Sequence, residues 1–146
     1  MDKNESLIEE IYKNAKMGGD SIVDLLDRAD VGQPNAAELK SEMTYELGRY
    51  RGFEKRAEEK LGERGLKPKE LTLGAKMGAK VGMFFNTMLD TSPSHLAEMM
   101  INGASMGIVE LEKKLNDGGY SPEAESFARE VADYEKSTIE RLGKFL

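Results

Sequence analysis

The sequence predicts an all-α fold in which two helical hairpins are joined by a long connection. Apolar residues recur at steps of three and four along most of the chain, which is the period of a helical face, and no segment shows the sustained alternation of a half-buried strand. Turn signals rich in glycine, proline and asparagine divide this pattern into long segments. The 146 residues can bury a core of their own, so we expect one helical-bundle domain over residues 1–146.

The first hairpin is predicted over residues 4–64. Its first helix should begin near Asn4 or Ser6 and run to Arg28, because Leu, Ile and Ala recur along one helical face of this stretch. A turn that ends in Pro34 closes the helix.

The second helix of this hairpin should begin after Asn35 and run to about Arg64. Asn35 is a residue type favoured at N-caps, and Glu38 three residues later completes the pattern of a capping box. Gly65 is placed as the C-cap, where glycine accepts a left-handed backbone.

The connection between the hairpins should hold a further short helix, rich in glycine and methionine, over residues 72–89. At 1.5 Å per residue such a helix covers about 27 Å, enough for a crossover along most of the bundle. Its glycines repeat every four residues on one face, as Gly74, Gly78 and Gly82. We expect this face to clamp the helix onto the bundle, since small residues let two backbones approach closely; the alternative is a basic amphipathic helix that docks on a membrane surface or a partner helix.

The second hairpin is predicted over residues 92–146. Its first helix should start near Ser92 or Ser94, with a proline in the first turn, and should end at a double-glycine turn. The last helix should have Ser121 as its N-cap, followed at once by proline, and should run to Phe145.

The two hairpins resemble one another in sequence. Residues 53–61 (FEKRAEEKL) return as residues 134–142 (YEKSTIERL), and residues 15–18 (AKMG) return as residues 104–107 (ASMG). The chain therefore has the pattern of one hairpin written twice, which predicts a pseudo-symmetric bundle.

This doubled hairpin resembles the ferritin-like superfamily, and the resemblance implies an up-down-down-up four-helix bundle with one long crossover. The di-iron site of that family takes one Glu from each of two helices and a Glu-x-x-His from each of the other two. The matching positions here are Glu54-x-x-Ala57 and Glu135-x-x-Thr138. Both glutamates are kept and both histidines are replaced, so the resemblance implies that the usual metal ligands are incomplete.

Two interpretations of these glutamates remain open. In one, Glu54 and Glu135 belong to an altered site that His95 and Glu98, one turn apart on the next-to-last helix, help to form, with iron or manganese as the candidate metals. In the other, they form surface ion pairs with nearby basic residues. No cofactor is required by the sequence.

The composition also argues against several classes of catalytic and binding site. The chain has no cysteine and one histidine, and it lacks the glycine-rich phosphate-binding motifs and the nucleophile motifs of hydrolases, so no catalytic residue is assigned. The net charge of -6 disfavours non-specific binding to nucleic acid. The polar, acidic start is unlike a secretory signal, and together with the absence of cysteine it favours a cytoplasmic location.

We expect this protein to act by binding or self-association, as a homodimer or another homo-oligomer, and not by turnover. Methionine suits pliable apolar surfaces, and the pair Met99 and Met100 beside His95 is the place where an apolar ligand or a partner helix would fit. The alternatives are a divergent carboxylate metal-binding protein that handles iron or peroxide, and a peripheral membrane or partner-helix binding protein that uses residues 72–89.

Overall fold

The computed structural model describes residues 1–29, 32–68 and 90–146. Its helices are α1 (Lys3–Arg28), α2 (Ala36–Gly62), α3 (Pro93–Asp117) and α4 (Pro122–Gly143). The described residues form four helices and no strand, which confirms the all-α, four-helix prediction. The short helix predicted over residues 72–89, with its glycines Gly74, Gly78 and Gly82, lies outside the described residues.

Serine caps fix the starts of α3 and α4; Ser121 was predicted as a cap, whereas Ser92 was predicted only as one of two possible starts of α3. The side chain of Ser92 accepts a hydrogen bond from the backbone N–H of His95 at 3.3 Å, and the side chain of Ser121 accepts one from Ala124 at 3.2 Å. Each cap satisfies a backbone donor that the first turn leaves without an intrahelical partner. The last helix ends at Gly143, two residues before the predicted end.

The capping box occurs at α1 and not, as predicted, at α2. Asp2 accepts a hydrogen bond from the backbone N–H of Glu5 at 2.8 Å, and Glu5 accepts one from the backbone N–H of Asp2 at 3.2 Å. Asn35 makes no side-chain cap bond, because its backbone is left-handed (φ 67°), and a capping side chain needs an extended backbone at that position. The prediction of a box at Asn35 and Glu38 was therefore wrong.

The end of α2 agrees with the prediction to within two residues, since the helix ends at Gly62 and a turn follows. The backbone N–H groups of Gly65 and Leu66 donate to the carbonyls of Gly62 and Leu61 at 3.0 and 2.9 Å, which is the pattern of a glycine C-cap. Gly65 has a left-handed backbone (φ 72°) in this turn, as glycine readily permits.

Contacts between helix ends give the direction of each helix. Arg64 after the end of α2 lies 3.5 Å from Asp2 before the start of α1, so the first hairpin is antiparallel. Asn4 at the start of α1 accepts a hydrogen bond from the backbone of Ser121 at the start of α4, at 2.8 Å. Lys114 at the end of α3 lies 3.2 Å from Ser6. Hence α1 and α4 run one way, and α2 and α3 run the other way.

The core lies between the four helices. It is apolar except for a few groups, and the largest fully buried apolar side chains are Leu7, Ile11, Leu25, Leu39, Met43, Leu61, Leu96, Leu111, Leu142 and Val131. Met99 and Met100, which sequence analysis singled out for a ligand or partner helix, are both buried in this core. The buried polar side chains among the described residues are Glu46, Glu135 and Thr138.

Candidate functional site

A polar cluster in the core joins all four helices around Glu135. Asn14 on α1 donates its side-chain N–H to one carboxyl oxygen of Glu135 at 2.8 Å, and the Tyr50 hydroxyl on α2 donates to the other at 3.0 Å. The same Asn14 amide lies 3.3 Å from the backbone carbonyl of Gly107 on α3. Glu135 itself is on α4 and is 1% exposed. We call these four residues the polar cluster.

Two glycines, Gly107 of the polar cluster and Gly18 on α1, leave room for the side chains of the cluster. A Cβ atom at Gly107 would lie 2.5 Å from a carboxyl oxygen of Glu135 and 2.7 Å from the side-chain oxygen of Asn14. A Cβ atom at Gly18 would lie 2.7 Å from the ring of Tyr50. Both distances are far below van der Waals contact, so any other residue at these positions would displace the cluster.

Burial controls the ionisation of the cluster. Desolvation raises the pKa of Glu135 to about 7, although the hydrogen bonds from Asn14 and Tyr50 act in the opposite direction. The pKa of the Tyr50 hydroxyl is also raised, first by burial and then by the adjacent Glu135 carboxylate, so this hydroxyl stays protonated and remains a donor. The ionised Glu135 is the form that both donors fit.

A second buried carboxyl lies one helical turn before Tyr50. Glu46 is 1% exposed, and burial, followed by its hydrogen bond with Glu42 and the charge of Glu42, raises its pKa to about 9. Glu42 in turn accepts a hydrogen bond from Arg141 on α4 at 3.0 Å. Glu46 is therefore neutral near pH 7, and Glu42 carries the charge that pairs with Arg141.

Aromatic rings from α2 and α4 pack beside these carboxyl groups. The ring of Tyr134 meets those of Tyr50 and Phe53 edge-on, with centroids 5.6 and 5.4 Å away. The guanidinium groups of Arg49 and Arg141 lie 4.8 and 5.5 Å from the centre of the Tyr134 ring. This packing holds α2 and α4 in register around the polar cluster.

The two glutamates of the sequence repeat have different surroundings. Glu135 is in the polar cluster, whereas Glu54 accepts a hydrogen bond from Arg51 at 2.8 Å. Glu54 also lines a shallow groove of about 370 Å³ whose remaining side chains are charged, namely Lys16, Asp20, Arg51, Lys55 and Glu58. The pseudo-symmetry of the sequence is thus not kept by these carboxyl groups.

The other proposed metal ligands lie near the start of α3. His95 and Glu98 are partly and largely exposed, and 3.7 Å separates the imidazole Nδ1 from the carboxylate. Across residues 1–29, 32–68 and 90–146, no three His, Asp or Glu side chains form a group that could hold a metal ion. The described residues bring His95 together with Glu98, and Glu135 together with Asn14 and Tyr50.

Sequence reasoning missed Asn14, Glu46 and the role of Tyr50. The sequence did contain one signal, namely the glycines at the ends of the two short repeats, residues 15–18 and 104–107. Gly18 faces Tyr50, and Gly107 faces Glu135 and Asn14. A glycine inside a helix costs about 1 kcal/mol relative to alanine, which indicates that something needs the space.

Comparison of the chain with protein-family models, curated proteins and solved structures gave no significant match. No helix within the described ranges is long and apolar enough to cross a membrane.

Proposed function

We propose that this protein is a ferritin-like bundle that acts by binding or self-association through its outer surface and not by turnover. The observation that carries this proposal is an exposed apolar strip on α3. Met106 and Val109 are 62% and 49% exposed, and a Cβ at the neighbouring Gly103 would meet no atom within 4 Å. Met106 and Val109 thus lie beside a flat position that a partner can approach closely.

The glycines on α2 support the same proposal. Gly48 and Gly52, like Gly103 and Gly107, are four residues apart, a spacing that can bring two helix backbones together. Gly107 faces a crowded core, but Gly48, Gly52 and Gly103 have no atom within 4 Å of the position of a Cβ. These three glycines leave room on the outside of the bundle rather than inside it.

The polar cluster supports a structural rather than a catalytic use of Glu135. Both of its oxygens already accept hydrogen bonds from Asn14 and Tyr50. A buried carboxylate that is satisfied in this way fixes which helices meet and at what level, because a change of register would leave it without donors.

Sedimentation equilibrium over a wide range of protein concentrations tests the proposal. We expect the mass to rise from that of a monomer to that of a dimer or a higher closed oligomer as the concentration increases. A single monomer mass at all concentrations would contradict self-association.

The second candidate function is that of a divergent carboxylate metal-binding protein, and the burial of Glu135 at the meeting point of four helices favours it. Glu54, His95 and Glu98 were the other ligands predicted for iron or manganese. Calorimetric titration with Fe(II), Mn(II) and Zn(II) tests this function, with Glu135→Gln as the control. The hypothesis predicts heat that the substitution abolishes; no heat from the unsubstituted protein at micromolar concentrations would reject it.

A further inference from the structure

The outward face of α3 is self-complementary. Met106 lies near its centre, with Asn102 and Gly103 about one turn before it and Val109 and Glu110 about one turn after it, and all five are exposed. Farther out, Glu98 and Lys113 are also exposed, with 61% and 69% of their side chains accessible. The face therefore has an apolar centre, with Glu98 towards one end, 3.7 Å from His95, and Lys113 towards the other, 3.3 Å from Glu110.

The spacing of these charges fits an antiparallel pair of α3 helices. Glu98 and Lys113 lie about 11 Å on either side of Met106 along the helix, and at 3.6 residues per turn both fall on the same flank of it. A two-fold axis through Met106 places Glu98 of one copy level with Lys113 of the other, and the same contact occurs twice. Gly103 lets the backbones approach at the centre of such a pair.

We propose that α3 forms a homodimer interface with a second copy of this chain, antiparallel and centred on Met106. This inference rests on the proposed function, because it names the partner and the surface for self-association. A lipid surface is a poorer occupant, since Glu98 and Glu110 lie on this face and the chain carries a net charge of -6. The α2 face around Tyr45, Gly48 and Gly52 is also exposed but has no comparable pairing of charges about its centre.

A single cysteine at the centre of the interface tests the axis directly. The chain has no cysteine, so Met106→Cys introduces one thiol per copy. Two copies of a residue on a two-fold axis are neighbours, and packed helices bring their Cα atoms within disulfide range. We expect mild oxidation to convert Met106→Cys to a covalent dimer, whereas Val23→Cys on α1 and Tyr45→Cys on α2, which are also exposed, stay largely monomeric.

Charge exchange tests the register. Glu98→Lys and Lys113→Glu each turn two attractive contacts into repulsive ones, and we expect each to weaken dimerisation about tenfold at low salt. The double variant restores opposite charges across the axis, so its dimerisation should recover. Glu125→Lys on α4 is the matched control, because it reverses an exposed charge away from α3, and it should leave dimerisation unchanged.

The outcomes separate this interface from the broader proposal. If the protein self-associates, but Met106→Cys cross-links no faster than the two controls or the double charge variant does not recover, the α3 interface is wrong and self-association through another face stands. If the unsubstituted protein is a monomer at every concentration, the α3 homodimer and self-association both fail, and the proposed function is reduced to binding another partner. Circular dichroism of each variant verifies that its helices are intact.

Discussion

Gly107 has no side chain, and Glu135 and Asn14 fill the space beside it. Because Glu135 is 1% exposed and both of its oxygens accept hydrogen bonds, its carboxyl group has little freedom to move away from an added atom. Gly52 is also inside a helix, but no atom lies within 4 Å of the position of its Cβ. The same substitution at the two glycines should therefore have opposite effects.

We expect Gly107→Ala to lower the free energy of unfolding by about 1–3 kcal/mol, since overpacking outweighs the gain in helix propensity. Gly52→Ala is the matched control and should raise it by up to about 1 kcal/mol. Urea unfolding followed by circular dichroism measures both variants. Equal stabilisation by the two substitutions would show that Glu135 does not occupy the space beside Gly107.

The helix ends show how local sequence and tertiary contacts combine at the scale of an element. Asp2 caps α1 through its reciprocal bonds with Glu5, and its carboxylate also lies 3.5 Å from Arg64 at the end of α2. These contacts lower the pKa of Asp2, first through the backbone hydrogen bond from Glu5. Asn35 precedes α2 but has a left-handed backbone and no side-chain cap bond.

Asp2→Ala should reduce the melting temperature by a few degrees, because the first turn of α1 loses an acceptor for a backbone N–H. Asn35→Gly should not reduce it, since glycine accepts the left-handed backbone at least as well as asparagine does. Thermal melts at neutral pH compare the two variants. A loss of melting temperature in Asn35→Gly alone would reverse the assignment of the caps.

At the scale of the whole molecule, folding buries two carboxyl groups whose pKa values rise above the ordinary value of 4.5, to about 7 for Glu135 and about 9 for Glu46. Between about pH 4.5 and these raised values, the folded chain therefore keeps protons on Glu135 and Glu46 that the unfolded chain has released. Their contribution to stability is fully present below about pH 4.5 and is lost as the pH rises through the folded-state values. Glu130 has the opposite effect on the pH dependence of stability. Its hydrogen bond with Arg56 lowers the pKa of Glu130, so the stability that this pair contributes is lost when Glu130 is protonated at low pH.

We expect the free energy of unfolding to be greatest near pH 5 and to fall by about 1.4 kcal/mol per pH unit for each proton held by the folded state. Both carboxyl groups contribute up to about pH 7, and Glu46 alone contributes from there to about pH 9. Urea unfolding at a series of pH values measures this slope. Glu46→Gln, which keeps the size of the side chain, should flatten the profile between pH 7 and 9; an unchanged slope would assign the proton to another group.

Part of this fold follows from short stretches of sequence. The serine caps at Ser92 and Ser121 were predictable because a cap depends on one side chain and the turn that follows it. The failed box at Asn35 shows the limit of this reasoning, since the residue type was suitable but its backbone is left-handed.

The candidate site depends on contacts between distant parts of the chain. Asn14 and Glu135 are 121 positions apart, and no local pattern marks either as a member of the polar cluster. The sequence repeat aligns Glu54 with Glu135, but their surroundings differ. Glu54 lines a shallow charged groove, whereas Glu135 lies in the core. Tyr50 in the first hairpin corresponds to Val131 in the second, so the two halves cannot form the same polar contacts.

The sequence by itself determined that the described chain is helical, because a period of 3.6 residues and local caps are properties of neighbouring residues. It also indicated two similar hairpins. Only the tertiary structure decided which carboxyl groups are buried and which glycines are crowded, because burial depends on how one helix packs against the other three. Glu135, Glu46 and Gly107 acquire their roles from that packing, and Gly103, Met106 and Val109 stay exposed because none of the described helices covers them.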